Sequence, residues 1–230
     1  MERRNVEISA LETLRSGFLY LLVAVIVVVI AVLAGLPSII AAFGFMPAAL
    51  HRPFAEVIGA VATQLILLLV AVGIVLYAVF GKIRPGMRQL SEVDNGFHIS
   101  YTGTTLMLVG LVIMVLGLIV LVAAFAAVSF SPMRGTVLGG LILALGVLLI
   151  GGIIAIIGNI LTFVVGAFNL YSRYQNSLYM AAGILFIIDI ALILVGFSGI
   201  LSLVGYILMY IALGDTINRL TTATATLAQA

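Results

Sequence analysis

The sequence predicts an all-α fold, a polytopic transmembrane bundle of about six helices with both termini in the cytoplasm. Three observations lead to it. Of the 230 residues, 64% are hydrophobic and only 8% are charged, whereas soluble domains carry about 25% charged residues. The apolar residues form continuous runs long enough to cross a bilayer as helices, not the alternating pattern of a membrane β-barrel. The basic residues are also distributed unequally between the connecting segments, which indicates an orientation.

The first element is predicted to be a cytoplasmic helix at residues 1–16 that runs directly into the first span. Ser9 and Glu12 match the S-x-x-E capping box that begins many helices. A cleaved signal peptide is the competing interpretation of a basic start followed by an apolar run. Because the run from Gly17 is longer than the 7–15 residues typical of a signal peptide core, we favour a retained membrane anchor.

The transmembrane domain is predicted to cover residues 17–220, followed by a C-terminal tail at 221–230. A short interfacial or re-entrant piece is expected at 38–50, and an inner loop at 81–102. Because proline disrupts helices, all five prolines are expected to lie between straight spans. The spans are expected near residues 17–36, 55–80, 104–130, 136–170, 178–196 and 200–217.

The fourth apolar run, 136–170, is too long for one straight crossing. As a single helix its 35 residues would measure about 52 Å, against a hydrocarbon core of ~30 Å. We therefore expect this helix to protrude or tilt, and Gly158-Asn159 is the candidate position for a kink.

The basic residues set the predicted orientation. With six spans, eight of the ten lysines and arginines fall on the side of the two termini, which the positive-inside rule assigns to the cytoplasm. The tyrosines are predicted near the same interface, where their amphipathic rings favour the headgroup level. The eight basic residues are Arg3, Arg4, Arg15, Lys82, Arg84, Arg88, Arg173 and Arg219. The tyrosines are Tyr20, Tyr77, Tyr101, Tyr171, Tyr174, Tyr179, Tyr206 and Tyr210.

Glycines predict how the spans pack, since helices in a bilayer associate through close approach of their backbones. Gly103, Gly110 and Gly117 recur every seven residues and lie on one face of the third span. Gly135 and Gly139 form a G-x-x-x-G pair at the start of the fourth. We expect these glycines to make tight helix contacts within the bundle or an oligomer. A smooth pore or sliding surface is the alternative.

Asp189 is the candidate functional residue, because it lies in the otherwise apolar stretch GILFIIDIALILVG at 183–196. A charged aspartate inside a bilayer costs about 2.5–3.5 kcal/mol on insertion scales, so a polar partner is expected. Asn159 and Asp189 are each eleven residues from the inner ends of their helices, so both are predicted about 16 Å deep. A buried polar clamp is the favoured interpretation. A proton- or ion-handling site and a contact with a partner subunit remain the alternatives.

Several kinds of chemistry are not supported by the sequence. There is no cysteine, which excludes disulfides and thiolate metal sites. His51 and His98 are predicted on opposite sides of the membrane, so they cannot share a metal or a haem. A weak cation site at Glu92, Asp94 and His98 matches no metal-binding spacing.

A serine protease is not supported either. Gly196-Phe197-Ser198-Gly199 matches the G-x-S-G pattern of rhomboid-type proteases, but no histidine follows residue 98 to act as base. This stretch is interpreted as a turn between the last two spans, and the protein is expected not to be an enzyme. Lys82, Arg84 and Arg88 in the inner loop are predicted to contact anionic lipid or a cytoplasmic partner.

Three stretches carry a resemblance to a known family. They are LSEVDNGFHISYTGTTLMLVGLVIMVLGL at 90–118, the opening ALETLRSGFLYLL and the closing YIALGDTINRL. A charged loop followed by Tyr101-Thr102-Gly103 and a glycine-rich span resembles an archaeal multi-pass membrane family, domain-of-unknown-function family 973. The resemblance implies a membrane location and an archaeal source. It supplies no activity and no functional residue.

Two functions remain after these exclusions. The first is a non-enzymatic structural or accessory subunit of a membrane assembly, located in the cell membrane. The second is a small transporter or channel that uses Asp189 and Asn159. The expected partners are membrane lipid and other membrane subunits or further copies of the chain. No nucleic acid, cofactor or metal is expected.

Overall fold

A computed structural model describes residues 2–42, 66–67, 70–130, 134–193 and 199–229. Within these residues there is no strand, and the chain forms six long helices. Helix α4 is one continuous helix that includes a π-helical turn. The helices are α1 (Glu2–Ala42), α2 (Val70–Val93), α3 (His98–Phe130), α4 (Arg134–Asn159, the π turn Ile160–Val164 and Val165–Tyr174), α5 (Ser177–Ile193) and α6 (Ile200–Gln229).

The fold is an all-α membrane bundle. In the described part of the chain, five helices are long and apolar enough to cross a bilayer, and the apolar segment Ser177–Leu192 is shorter. Large apolar side chains are exposed along most of the bundle, as expected for a protein whose solvent is lipid. The predicted fold class is therefore confirmed. The five candidate spans are Arg3–Gly35, Val70–Val93, Asn95–Leu121, Gly139–Tyr174 and Ile200–Ala223.

Helix α1 lies antiparallel to α2 and also packs along α6. A methyl group on Gly17 would lie 2.7 Å from Ile83 Cγ1 of α2, and one on Gly86 would lie 2.7 Å from Leu14 Cγ. On its other side, the Arg15 guanidinium lies 4.5 Å from the ring centroid of Tyr210 in α6. Helices α1 and α6 therefore lie side by side at the end of the bundle that holds both termini, here called the inner end.

Several predicted boundaries are wrong because the helices continue beyond the apolar runs. The predicted inner loop at 81–102 is a helical hairpin, in which α2 extends to Val93 and a short turn at Asn95–Phe97 leads into α3. Helix α6 likewise extends to Gln229, so the predicted tail is largely helical. An apolar run in the sequence marks only the part of a helix that lies inside hydrocarbon. The polar residues that continue the helix outside the hydrocarbon are not marked by hydropathy.

Two prolines lie inside helices, and one of them, Pro85, also lies inside a candidate span, which corrects the prediction for that residue. Pro37 lies within α1, so this helix also covers the start of the predicted re-entrant piece at 38–50. Pro85 follows the π turn Val79–Ile83 of α2. The wider π turn shifts the hydrogen-bonding pattern, and helices accommodate proline at such interruptions. Pro47, Pro53 and Pro132 lie outside the described residues.

The fourth apolar run is one long helix with a local interruption. Helix α4 continues from Arg134 to Tyr174, and its π turn begins at Ile160, directly after the predicted kink position Gly158-Asn159. Thr162 in this turn donates its hydroxyl to the Gly158 carbonyl at 2.8 Å. The polar end of the helix beyond the π turn then projects to the inner end, which accounts for its length.

Glycines bring α3 and α4 into close contact, as the seven-residue spacing predicts. Gly103, Gly110 and Gly117 are buried, and on α4 they face Gly158, Gly151 and Leu148 respectively. A methyl group on Gly103 would lie 2.6 Å from the Cβ atom of Leu161, inside van der Waals contact. The two backbones can approach this closely only because these positions carry no side chain.

Gly139, the second member of the other predicted glycine pair, makes no close contact with the residues that the structure describes. None of their atoms lies within 4 Å of the position a Cβ would take, so a contact within an oligomer stays the prediction for this glycine. Each residue of a helix is rotated by about 100° from the one before it. Gly139 therefore lies on a different side of α4 from Gly151 and Gly158, which contact α3. The surroundings of Gly135 lie outside the described residues.

Substituting the glycines tests the contact between α3 and α4. In Gly110→Ala and Gly158→Ala, the new methyl group would overlap the backbone of the opposite helix, and overpacking of this kind costs about 1–3 kcal/mol. Gly73→Ala is the matched control, because a methyl group there meets open space. Unfolding in mixed detergent micelles measures the free energies. Equal stability of all three variants would contradict the packing described here.

Candidate functional site

Asp189 lies near the outer end of α5 and is 5% exposed. Its carboxylate accepts a hydrogen bond from the Ser202 hydroxyl of α6. It also accepts from the Gly199 backbone N–H, at 3.1 Å to Oδ1 and 3.3 Å to Oδ2. The acid therefore connects α5 to the beginning of α6.

These bonds make Asp189 a capping group for α6. The first N–H groups of a helix have no partner within the helix, and in a bilayer no water is available to replace one. The positive end of the helix dipole also attracts a carboxylate. Gly199 has a φ of +95°, a conformation that favours glycine, and its carbonyl accepts from Leu203 N at 3.1 Å, which starts the helix. The local geometry explains why an acid occurs in this apolar stretch.

Asn159 is not the partner of Asp189. In the described part of the chain no hydrogen bond joins the two side chains, and the prediction of a clamp between them is wrong. The Asp189 carboxylate is directed to α6, whereas Asn159 lines a separate apolar groove of 320 Å³ between α3, α4 and Ile190 of α5. Depth along each helix was the basis of the prediction, and depth alone does not specify the direction of a side chain.

An aromatic cluster lies on the inner side of Asp189. Phe186 precedes Asp189 on α5, and Tyr206 follows Ser202 on α6. Their ring centroids are 5.4 Å apart, and Phe163 of the π turn in α4 lies 5.7 Å from Phe186 and 5.6 Å from Tyr206. Phe18 of α1 completes the cluster at 6.0 Å from Phe163. Aromatic pairs at these separations contribute about 0.5–1.5 kcal/mol each beyond their buried area.

A cluster of ionic side chains fixes the inner end. Arg173, near the end of α4, donates to Glu7 Oε1 of α1 at 2.9 Å and to Asp94 Oδ2 at 2.7 Å. The Tyr174 hydroxyl also donates to Glu7 Oε1, at 2.6 Å. Asn169 donates to the Gly96 carbonyl at 2.7 Å. One arginine therefore holds α1 and the turn between α2 and α3 against α4.

Two of the residues considered for a weak cation site, Glu92 and Asp94, are paired with arginines. Asp94 is paired with Arg173, and Glu92 forms an exposed ion pair with Arg88 at 3.5 Å. No group of three potential metal-ligating side chains occurs among the residues that the structure describes. Each of these two carboxylates therefore has an arginine beside it.

The local bonds of Asp94 also affect its titration. The Gly96 backbone N–H donates to Oδ1 at 2.9 Å and Arg173 donates to Oδ2, and these two bonds lower the pKa of Asp94 below its usual 3.8. Both bonds favour the ionised carboxylate.

The three predicted inner cations do not share one surface. Arg84 and Arg88 of α2 line a small cleft with Tyr101 of α3. The Cβ of Lys82 lies 3.1 Å from where a methyl group on Gly17 of α1 would be, so the stem of Lys82 lies against a different helix.

Sequence reasoning missed Ser202, Glu7 and Arg173 as partners in these two clusters. Ser202 lies thirteen residues after Asp189 across a G-x-S-G turn, a spacing that suggested only a loop. Glu7 and Arg173 are 166 residues apart, and nothing in a single sequence links them. Their shared position at the predicted inner end was the only available signal.

Comparison with known proteins places the chain in a family. The family model described as "Protein of unknown function (DUF973)" matches residues 7–230. The chain belongs to this family. The resemblance drawn from its opening, middle and closing stretches is thus confirmed for this DUF973 member, and the archaeal source stays a prediction. No curated protein and no solved structure matches the chain.

A double-mutant cycle tests the bond between Asp189 and Ser202 in this DUF973 member. We expect Asp189→Ala and Ser202→Ala to be coupled by about 0.5–2 kcal/mol, the range for hydrogen-bonded neighbours inside membranes. Asp189→Ala combined with Asn159→Ala is the matched comparison, and its effects should add to within about 0.5 kcal/mol. Unfolding in mixed micelles gives the free energies. A larger coupling with Asn159 than with Ser202 would support the original clamp instead.

The inner ionic cluster predicts a dependence on pH. Because the pKa of Asp94 is lower in the folded state, its stabilising contribution is complete above 3.8 and is lost as the pH falls through the folded-state value. Asp94→Asn should therefore lose stability at neutral pH and show a weaker additional loss on acidification to pH ~3. Glu92→Gln is the control, since Glu92 is exposed, and it should keep the wild-type profile. Identical profiles for wild type and Asp94→Asn would refute this assignment.

Proposed function

We propose that the protein is a non-enzymatic subunit of a membrane assembly and that α4 is the helix that binds another transmembrane helix. A second copy of the chain is the simplest partner. The observation that supports this most directly is the pair of open glycines on the outward side of α4. Gly139 and Gly146 have no neighbouring atom within 4 Å of the position a Cβ would occupy.

The open glycines share one face of α4 with large apolar side chains. Gly139 and Gly146 are seven residues apart, which places them nearly in line along the helix. Leu143, Ile150 and Ile153 fall on the same face and are 60%, 58% and 58% exposed. Leucine and isoleucine are ordinary on a lipid-facing surface, but glycines there shorten the closest approach of a second helix. This set of five residues is called the α4 face.

The opposite side of α4 supports the same interpretation. There Gly151 and Gly158 carry the close contact with α3, so this helix already uses glycines for one helix–helix interface. The α4 face repeats that chemistry without a neighbour in the described part of the chain. Glycine weakens a helix by about 0.5–1 kcal/mol relative to alanine, and a second interface would offset that cost.

The transporter hypothesis is less well supported by the geometry. It depends on Asp189 and Asn159 acting together, and Asp189 is occupied with the Gly199 N–H and the Ser202 hydroxyl. The groove beside Asn159 is lined mostly by apolar side chains, which offers little to a hydrated ion. A capped helix end accounts for Asp189 without transport.

Cysteine crosslinking tests the proposal, because the chain has no native cysteine. Leu143→Cys places a thiol on the α4 face, and Ile119→Cys places an equally exposed thiol on α3, at 60% and 59% exposure. We expect disulfide-linked dimers in native membranes for Leu143→Cys and not for Ile119→Cys. Crosslinking of neither, or of both equally, would refute a specific interface between copies.

A second variant separates association from folding. Gly146→Leu fills the α4 face, and its Cβ would have no atom of the described residues within 4 Å, so we expect normal stability with at least a tenfold loss of association, about 1.4 kcal/mol. Gly73→Leu is the matched control, since Gly73 on α2 is equally open. Photobleaching step counts of labelled protein in liposomes measure the stoichiometry. A monomeric wild type that co-purifies with a different membrane protein, when Gly146→Leu does not, would indicate a heteromeric assembly.

A further inference from the structure

A cleft of 190 Å³ opens between α2 and α3 near the inner end. It is lined by Phe80, Arg84, Pro85, Arg88 and Tyr101. The four residues of α2 lie on one side of that helix because they are spaced by about one or two turns. The cleft therefore combines two guanidinium groups with two aromatic rings in one small space.

Arg84 is an unpaired cation in this cleft. Among the described residues no carboxylate forms a salt bridge with it, and its Nε atom is buried without a hydrogen-bond partner. Its guanidinium carbon lies 5.8 Å from the ring centroid of Tyr101, which holds the group over the aromatic face. Because Arg84 lines the cleft without a carboxylate partner among the described residues, an oxygen-rich anion would be a favourable occupant.

Arg88 adds a second charge at the mouth of the cleft. Its side chain is 67% exposed, and its only ion pair in the described part of the chain is with the exposed Glu92, at 3.5 Å. An exposed pair of this kind is weak. Arg88 therefore keeps N–H groups available for a ligand, beside the half-buried Arg84.

The cleft lies at the depth of lipid headgroups. Tyr77 of α2 and Tyr20 of α1 form an edge-on aromatic pair with centroids 5.0 Å apart, and tyrosine rings favour the membrane interface. Arg84 is seven residues beyond Tyr77, or about 10 Å further along the helix toward the inner end. A ligand in the cleft would have its charged group outside the hydrocarbon and could keep an acyl chain inside it.

We propose that this cleft binds the phosphate of an anionic lipid headgroup, with Arg84 and Arg88 as the phosphate-binding residues. Arginine matches phosphate because its planar group offers several parallel N–H donors. The phosphate would accept from the guanidinium N–H groups of Arg84 and Arg88, and Phe80 and Tyr101 would flank the headgroup. This proposal is independent of the α4 face, which lies on another helix and nearer the outer end.

Native mass spectrometry of the full chain tests the site. Protein released from mixed vesicles of phosphatidylglycerol and phosphatidylcholine should retain phosphatidylglycerol preferentially. In the double variant Arg84→Gln and Arg88→Gln we expect that preference to fall roughly 5- to 30-fold, since one arginine in direct contact with the headgroup is worth about fivefold and two about thirtyfold. Lys82→Gln combined with Arg219→Gln removes the same charge outside the cleft and should keep the preference. An equal loss in both double variants, or a loss in neither, would overturn the proposal.

Two further arms distinguish the source of the phosphate and the effect on folding. Inorganic phosphate at millimolar concentration should not displace the retained lipid; displacement would show a free-anion site and overturn the lipid assignment. If Arg84→Gln does not fold, the same measurement is made on Arg88→Gln alone. The Arg88 side chain is exposed, so we expect this variant to fold. A wild-type lipid preference in a folded Arg88→Gln variant would then count against the cleft.

Discussion

Lipid as the solvent is the constraint on which this structure depends. Because apolar side chains are as well solvated by hydrocarbon as by one another, no hydrophobic effect drives the helices together. The bundle must be held by close backbone approach and by hydrogen bonds that water cannot replace. The glycines of α3 and α4 meet the first requirement, and the Asp189 carboxylate at the start of α6 meets the second. Both features look anomalous in a soluble protein and are expected here.

The strength of packing differs between the two ends of the bundle. Toward the inner end, α1, the π turn of α4, α5 and α6 share an aromatic cluster, and Arg173 joins three separate parts of the chain. Toward the outer end, α4 exposes leucine, isoleucine and glycine on a face that nothing in the described chain covers. The inner half is held by these aromatic and ionic contacts, and the α4 face of the outer half is exposed. This arrangement is consistent with the proposed binding of another transmembrane helix at the outer half.

The sequence predicted the class of fold and much of the packing, because both depend on composition and spacing. The apolar runs located the helices, and the seven-residue glycine spacing located the contact between α3 and α4. Helix ends were less accurate, since α2 and α6 continue as polar helices after hydropathy falls. The partner of Asp189 could not be predicted from depth, because the position of the turn at Gly199 decides which N–H groups lie beside it.

The two π turns have a consequence for how the chain tolerates changes in length. Each holds five residues, Val79–Ile83 and Ile160–Val164, and a π turn adds one residue to a helical turn. The wider turn accommodates this residue locally, so the helix after it keeps the direction of its faces. In α4 the faces before and after the turn have different partners, since Gly158 contacts α3 and Arg173 bonds to Glu7. Deleting a residue from regular helix between Gly158 and Arg173 would rotate these two faces by about 100° relative to each other, whereas a deletion within the π turn can restore a plain α-helical turn without that rotation.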